Sequence, residues 1–194
     1  MRIAIVSDAW RPQINGVVRT LETVARILRA EGHEVEGFGP DRFRTLPCPT
    51  YPEIRLSLLP SSRLSHMLKL FAPDAIHLVT EGPLGWAARG FCRRNGIPFT
   101  TAYHTRFPEY VRARIRLPLS WSYALVRRFH APSAGVLVVS PAIRDELGAR
   151  GFRNLVPWSR GVDIAAFRPQ PREDTGDPRP IWLYAGRVAV AALG

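Results

Sequence analysis

The sequence contains few of the features that mark specialised classes of protein. Only Cys48 and Cys92 are cysteines among the 194 residues, too few for a disulfide framework and without the spacing of a zinc site. No apolar run approaches the roughly 20 residues that cross a bilayer. Glycine and proline show no period, and no charge block is long enough to keep the chain extended. These absences exclude collagen, coiled coil and disorder.

Acidic residues are also scarce, 16 against 27 basic ones, which gives a net charge of +11. Only Lys69 is a lysine, and the arginines are scattered from Arg2 to Arg187 instead of forming one basic run. This pattern indicates an Arg-rich composition more than a nucleic-acid interface, so we expect no nucleic acid partner. Attraction to phosphate groups or to an anionic membrane surface uses the same electrostatic force and stays open.

The amino terminus, MRIAIVSDAW, lacks the basic, apolar and small-residue order of a secretory signal. We therefore expect a cytoplasmic protein. Any contact with a membrane is expected from its surface, as a peripheral protein on the inner face.

The first forty residues predict a β-α-β unit. Ile3–Val6 is a short apolar run typical of a buried parallel strand, and Val17–Leu28 has apolar positions at helical spacing. Asn15-Gly16 stands at the helix start, Gly32 at its C-cap, and His33–Phe38 forms the second strand. The sequence therefore predicts an α/β fold, a Rossmann-like doubly wound parallel sheet.

The alternation of strands and helices continues along the chain. We predict strands at Asp74–Val79, Ile97–His104 and Gly135–Val139, and helices at Leu84–Asn95 and Pro141–Arg150. The Pro-rich stretch 40–60 is interpreted as an insertion with at most one short strand.

Three domain ranges follow from this pattern. Residues 1–168 form the predicted domain, and residues 169–180, PQPREDTGDPRP, form a linker by composition. The new apolar strand Ile181–Ala185 then begins a second domain, and we expect residues 181–194 to supply only its first strand.

The loop from Asp8 to Gly16 follows the first strand, where open α/β sheets bind ligands. The helix dipole favours an anion there, and Gly16 would let a phosphate approach the backbone. The alternative is that Asn15-Gly16 is only a turn and a helix cap. No G-x-G-x-x-G follows the first strand and no P-loop lysine exists, so a nicotinamide or flavin domain is not expected.

His104 ends a predicted strand at the same sheet edge as the loop from Asp8 to Gly16. It could donate a hydrogen bond to a substrate or act as an acid or base near neutral pH. The alternative is a strand-end histidine bonded to its own loop. No histidine pair has ligand spacing and no Asp-x-Asp occurs, so we expect no metal and no cofactor.

The segment 106–130 interleaves arginines with aromatic residues and is divided by Pro118. It offers a membrane or acceptor surface, since aromatics favour the headgroup region and arginines favour anionic lipid. The residues expected there are Arg112, Arg114, Arg116 and Trp121. The alternative is an amphipathic helix whose aromatics pack on the sheet and whose arginines face water.

Several phrases in one order resemble a known family. SDAWRPQINGVVRTL, the Pro-Cys-Pro-x-Tyr insertion, TEGPLGWAAR, YHTRFPEY, LVPWSRGVDIAAFRP and LYAGRVAV are together similar to the N-terminal half of family 4 retaining glycosyltransferases of the GT-B type. Within that family they resemble enzymes that glycosylate lipids with mannose, glucose or sulfoquinovose. The resemblance covers essentially residues 1–190.

The resemblance implies two Rossmann-like domains, the first binding the acceptor and the second a nucleotide sugar such as GDP-mannose or UDP-hexose, without a metal. It implies that Gly16 meets donor phosphate or acceptor, that His104 reaches the transferred sugar, and that Arg187 neutralises the donor diphosphate. Further substrate-binding residues expected in the same motifs are Asp8, Asn15, Tyr103 and Arg106. The nucleotide sugar is a substrate, so no cofactor is implied.

The sequence departs from the family after Arg187. The Glu-Lys that normally follows, and the later Glu-x7-Glu that holds the donor, are absent from these 194 residues. We therefore expect this chain alone to be inactive. Two other interpretations stay open: a non-catalytic sugar- or lipid-binding module, or pseudogene fragment, and a small-molecule epimerase or oxidoreductase.

Overall fold

The structure is a computed structural model. It describes residues 1–13, 15–48, 51–104, 106–109, 112, 118–159, 161–162, 164 and 167–169. Residues 1–160 form one compact unit, and residues 161–194 cluster separately. The predicted linker from residue 170 and the predicted strand Ile181–Ala185 lie outside the described residues, so the domain boundary at 168 stays a prediction.

In the described part of the chain, six parallel strands form the main sheet, in the order β2-β1-β5-β6-β7-β8. The strands are β1 (Arg2–Val6), β2 (Glu34–Phe38), β5 (Ala75–Leu78), β6 (Thr100–Tyr103), β7 (Gly135–Val138) and β8 (Leu155–Pro157). Each neighbouring pair is parallel and in register, as in Val6 with Leu78 and Thr101 with Val136. The predicted doubly wound α/β fold is confirmed.

Among the residues that the structure describes, five α-helices pack on the two faces of this sheet. They are α1 (Gly16–Ala30), α2 (Ser61–Phe71), α3 (Pro83–Arg94), α4 (Leu119–His130) and α5 (Pro141–Ala149). Strand positions in register share a face, so α2, α3, α4 and α5 cover one side, where Phe38, Leu84 and Phe129 are buried. Helix α1 covers the other side through Leu21 and Ala25. Each fully buried Leu or Phe contributes roughly 2 kcal/mol.

The predicted elements between β1 and α5 differ from the observed ones mainly at their ends. Strand β6 begins at Thr100 and not at Ile97, because Pro98 has no N–H to donate to a strand ladder. Helix α4 begins directly after Pro118, where the sequence placed a division.

The prediction of at most one strand in residues 40–60 is wrong. The structure has a short 3-10 turn, Pro40–Arg42, followed by the antiparallel ribbon of β3 (Thr45–Cys48) and β4 (Tyr51–Ser57). Prolines are tolerated in such a ribbon because each strand has only one partner and leaves its other edge unpaired. Composition alone therefore underestimated its strand content.

Candidate functional site

The loops that follow β1, β5, β6 and β7 meet at the carboxyl edge of the sheet, because these strands are parallel. β5 alone separates β1 from β6, so the loops carrying Gly16 and His104 start about 10 Å apart, two strand spacings. The prediction that both loops belong to one edge is confirmed. Open α/β sheets bind ligands at this edge.

In the first turn of α1, the helix cap makes its hydrogen bonds, and the space around Gly16 is empty. Oδ1 of Asn15 accepts hydrogen bonds from the N–H groups of Val17 and Val18, each at 3.0 Å. A Cβ added at Gly16 would meet no atom within 4 Å. The structure thus gives Asn15 the capping role, while packing does not require a glycine at position 16. Close approach of a ligand remains a physical reason for it.

A shallow cavity of about 390 Å³ lies beside this turn. Its lining is Arg11, Pro12, Gln13, Val18, Arg19 and Glu22. Arg11 is paired with the Glu22 carboxylate, whereas Arg19 is exposed. A guanidinium next to a helix N-terminus favours a phosphate or another anion.

Asp8 joins the β1 loop to the start of α3. Its carboxylate accepts hydrogen bonds from Thr80 Oγ1 at 2.9 Å, Leu84 N at 3.0 Å and Gly85 N at 3.3 Å. The side chain is buried, and this desolvation raises the pKa of the Asp8 carboxyl against the opposing effect of the hydrogen bonds. A Cβ at Gly82 would collide with the same carboxylate. The structure therefore gives Asp8 a structural role, and its predicted contact with substrate stays a prediction.

His104 directly follows β6 and is half-buried. Its ring makes an edge contact with Trp158, which follows β8, at a centroid distance of 5.5 Å. The backbone N–H of Trp158 donates to the carbonyl of Val138 at 2.8 Å, which holds the backbone of Trp158 beside the end of β7. The contact orients the imidazole at the carboxyl edge, and an imidazole has the chemistry of an acid, a base or a hydrogen-bond donor.

Tyr103, one of the predicted substrate-binding residues, is buried in the core. It is only 2% exposed and packs against Phe152 and His130, on the face of the sheet that α2 to α5 cover. Burial raises the pKa of its phenol to about 12. Because side chains alternate between the faces of a strand, Tyr103 points into the core when its neighbour His104 stands at the edge. The ring therefore has a packing role, and its predicted contact with substrate stays a prediction.

Arg106 belongs to a polar cluster that ties the β6 loop to α4 and α5. Its guanidinium donates to Glu146 on α5 at 2.8 Å. Tyr123 on α4 donates to Glu109 at 2.6 Å and contacts Glu146 at 3.2 Å. Burial and the hydrogen bond to Glu109 raise the pKa of Tyr123, so its hydroxyl stays a donor. The cluster ties the loop after His104 to α5, and the predicted contact of Arg106 with substrate stays a prediction.

A second polar chain reaches the same edge from the core and was not predicted. Nε2 of His130, at the end of α4, lies 3.2 Å from the Glu81 carboxylate, and its Nδ1 lies 2.9 Å from Thr101 Oγ1. The His130 side chain is 1% exposed and that of Glu81 15%. Glu81 is thus a carboxylate held between core and loop, next to Asp8. Glu81 and His130 are 49 residues apart in the sequence, so only the tertiary structure reveals their contact.

The predicted membrane or acceptor surface is only partly described. Arg112 is exposed, and Trp121 is 72% exposed on α4 beside Leu125 at 52%. Tyr123 and Val126 on the same helix are buried, so α4 both packs on the sheet and exposes an aromatic residue. Arg114, Arg116 and Arg187 lie outside the described residues.

Among the described residues, no helix is both long and apolar enough to traverse a bilayer. Among the same residues, no group of three or more His, Cys, Asp and Glu side chains is arranged to hold a metal ion.

Several known proteins are similar to this chain in sequence. The chain is 29% identical to a GDP-mannose-dependent alpha-mannosyltransferase of Mycobacterium tuberculosis, covering 97% of this chain and 56% of that protein. It is 30% identical to a sulfoquinovosyl transferase of Arabidopsis thaliana, over 91% of this chain and 40% of the relative. An alpha-monoglucosyldiacylglycerol synthase of Streptococcus pneumoniae is 27% identical, with coverages of 90% and 44%. The chain thus spans about half the length of these relatives.

The solved structure of a UDP-GlcNAc 2-epimerase from Methanocaldococcus jannaschii matches with a TM-score of 0.50 and 14% identity. The match covers 81% of this chain and 45% of the epimerase, and at this identity it shows the fold alone. Residues 14–166, which include the Gly16 turn, the His104 loop and the strands between them, match the family described as Glycosyltransferase Family 4. The chain belongs to this glycosyltransferase family.

Proposed function

We propose that this chain is the acceptor-binding part of a retaining, metal-independent glycosyltransferase. The enzyme would move a hexosyl group, such as mannosyl or glucosyl, from a nucleotide sugar to a lipid or glycolipid acceptor. The family match over residues 14–166 carries the proposal. The names of three relatives support the hexose and the lipid: a mannosyltransferase, a sulfoquinovosyl transferase and a monoglucosyldiacylglycerol synthase.

In the proposed reaction, the bond between the anomeric carbon and the diphosphate oxygen breaks. A bond from that carbon to the acceptor hydroxyl oxygen forms on the same face, and the hydroxyl proton passes to the departing diphosphate. His104, fixed by Trp158, would donate a hydrogen bond to the transferred sugar. Gly16 would admit the donor phosphate or the acceptor to the first turn of α1.

Arg187 is proposed as the cation that stabilises the negative charge on the leaving diphosphate. The remaining donor-binding residues would be supplied by a second domain beyond this chain. We propose that residues 1–194 on their own show no turnover, because such preorganised charge stabilisation is usually the largest contribution to the rate.

The test joins residues 1–168 to the donor-binding half of the Mycobacterium tuberculosis relative and measures transfer of labelled mannose from GDP-mannose to a lipid acceptor. We expect His104→Ala to lower kcat/KM by about a hundredfold or more, as for a lost transition-state contact. His33→Ala is the matched control, because His33 precedes β2 at the opposite edge of the sheet. Unchanged turnover in His104→Ala would refute its role.

The non-catalytic alternative predicts a different outcome. A joined protein that folds and binds lipid but transfers no sugar, even with all histidines present, supports a binding module.

A further inference from the structure

Glu81 lies in the middle of the candidate site. Strand β5 stands between β1 and β6 in the sheet, and Glu81 follows Leu78, the last residue of β5, by three positions. The loop of Gly16 leaves β1 on one side, and His104 follows β6 on the other. Because neighbouring strands are about 5 Å apart, a ligand that reaches both Gly16 and His104 passes over the loop of Glu81.

The backbone of this loop is held close to the loop that follows β1. Asp8 N donates to Thr80 Oγ1 at 2.7 Å, and the Thr80 hydroxyl donates back to the Asp8 carboxylate at 2.9 Å. The residue after Glu81 is Gly82, where an added Cβ would overlap the same carboxylate. Glu81 therefore extends from a backbone with a defined position at the carboxyl edge.

The side chain of Glu81 is oriented from the core by His130. Nε2 of His130 lies 3.2 Å from Oε1 of Glu81, and Nδ1 lies 2.9 Å from Thr101 Oγ1. A carboxylate oxygen only accepts hydrogen bonds, so Nε2 donates in this contact. The imidazole packs against the rings of Phe129 and Phe152, at centroid distances of 5.0 and 6.0 Å. A ring packed in this way holds the first oxygen of Glu81 in place.

The second oxygen of Glu81 is not used in the same way. Among the described residues, Oε2 of Glu81 has no hydrogen-bond partner, and His130 is the only basic side chain paired with this carboxylate. The Glu81 side chain is 15% exposed, although the chain has 27 lysine and arginine residues. Glu81 is thus an acceptor that is held at one oxygen and open to a ligand at the other.

The charges around Glu81 indicate which part of a ligand it meets. Asp8 already accepts from the first N–H groups of α3, those of Leu84 and Gly85. Burial is the main cause of the raised pKa of Asp8, and the charge of Glu81 adds to it, so the two carboxylates lie near each other. A phosphate would be repelled at this point, whereas a neutral hydroxyl group would donate a hydrogen bond. The part of the edge that favours an anion is the first turn of α1, beside Arg19.

We propose that Glu81 accepts hydrogen bonds from the hydroxyl groups of a hexose ring, and that His130 positions its carboxylate for this contact. The inference rests on the proposed function, because it names a residue for the sugar in that reaction. The hexose has two sources with the same chemistry: the sugar transferred from the donor, and the sugar headgroup of a glycolipid acceptor. The kinetic experiment below separates them.

The first experiment measures the binding of methyl α-mannoside and methyl α-glucoside to the purified 194-residue chain by NMR titration. Glu81→Gln keeps the length of the side chain and one oxygen that accepts from His130, but it removes the charge and the second acceptor oxygen. We expect this variant to bind hexoside about tenfold more weakly or less, since hydrogen bonds to charged groups are the stronger kind. Its melting temperature should stay close to that of the parent.

Glu34→Gln is the matched control. It makes the same chemical change at the start of β2, at the opposite edge of the sheet, where Glu34 pairs with Arg2. Because this site is far from the carboxyl edge, we expect the affinity for hexoside to equal that of the parent. A loss shared by both variants would come from the change in net charge and would contradict a contact at Glu81.

Two variants of His130 test its positioning role. His130→Phe fills the space of the imidazole without a donor and should weaken hexoside binding as Glu81→Gln does, whereas the amide of His130→Gln donates to Glu81 and should restore much of the affinity. The double variant of Glu81→Gln and His130→Phe should bind no more weakly than Glu81→Gln alone, because His130 acts through Glu81. A merely structural His130 would lower the melting temperature and leave the affinity of the folded chain unchanged.

The second experiment uses the protein joined to the donor-binding half of the relative. If Glu81 contacts the transferred sugar, Glu81→Gln should raise the KM for GDP-mannose and leave the KM for the acceptor unchanged. If it contacts the headgroup of a glycolipid acceptor, the KM for the acceptor should rise instead. Either result supports the hexose contact and assigns its source.

Three results would overturn the proposal: no hexoside binding by the folded parent chain, equal affinity in the parent and Glu81→Gln, or an equal loss in Glu34→Gln. Unchanged KM values and normal turnover in the joined Glu81→Gln protein would also overturn it and leave the proposed function intact. Hexoside binding requires no sugar transfer. Binding that depends on Glu81, in a joined protein that shows no turnover, would therefore refute the proposed function alone.

Discussion

Asp8 gives the sharpest test of how this edge of the sheet is built. Replacing Asp8 by Asn keeps the size of the side chain but replaces one of its two acceptor oxygens by an NH2 group, which only donates hydrogen bonds. Three donors converge on this carboxylate: the Thr80 hydroxyl and the backbone N–H groups of Leu84 and Gly85. Rotating the Asn side chain cannot satisfy them all, so at least one buried donor loses its acceptor.

A buried donor without an acceptor costs about 1–3 kcal/mol, and we expect Asp8→Asn to lower the free energy of unfolding by that amount. For a chain of this length, the melting temperature should fall by roughly 3 to 10 °C. Urea unfolding followed by circular dichroism measures both. Asp145→Asn is the control, because Asp145 is exposed and contacts only its neighbour Arg144. We expect that change to stay within about 0.5 kcal/mol.

The pH dependence provides a second readout of Asp8. Because burial raises its pKa above the ordinary 3.8, the folded state binds the proton more tightly than the unfolded state. The free energy of unfolding should therefore fall as pH rises from 3.8 through the raised pKa. In the Asp8→Asn variant, the free energy of unfolding should not show this decrease with rising pH. If Asp8→Asn is no more destabilising than Asp145→Asn, the carboxylate does not hold the start of α3 and our assignment fails.

Two further predictions concern the stability of the same sheet. The pKa of His77 is lowered to about 4 by burial, so the free energy of unfolding should decrease by roughly 3 kcal/mol as pH falls from 6.5 to 4. Urea unfolding of the His77→Gln variant at several pH values should show no such decrease. If the free energy of unfolding depends on pH equally in both proteins, the prediction for His77 is refuted. A Cβ at position 85 would overlap the Thr80 carbonyl, so Gly85→Ala should lower the free energy of unfolding by about 2 kcal/mol. Gly16→Ala meets no atom and should change it by less than about 0.5 kcal/mol; equal losses would contradict the packing argument.

Local patterns were enough to predict the parallel sheet. Apolar runs such as Ile3–Val6 alternate with helical periodicity, and Asn15 marks the start of α1 by a capping bond between residues two and three positions apart. The ribbon of β3 and β4 was missed because its prolines, usually strand breakers, stand where no ladder partner is needed. Strand-end residues could be assigned to one edge, since parallel strands end together.

The sequence by itself determined the α/β class, the family and the edge at which Gly16 and His104 stand, because these follow from short-range periodicity and motif order. Only the tertiary structure decided what the side chains at that edge do. It assigned Asp8 to a helix cap, buried Tyr103, set His104 against Trp158, and joined Glu81 to His130 across 49 residues. Such roles depend on contacts between distant segments, and on which groups lose water when those segments pack, so no local pattern encodes them.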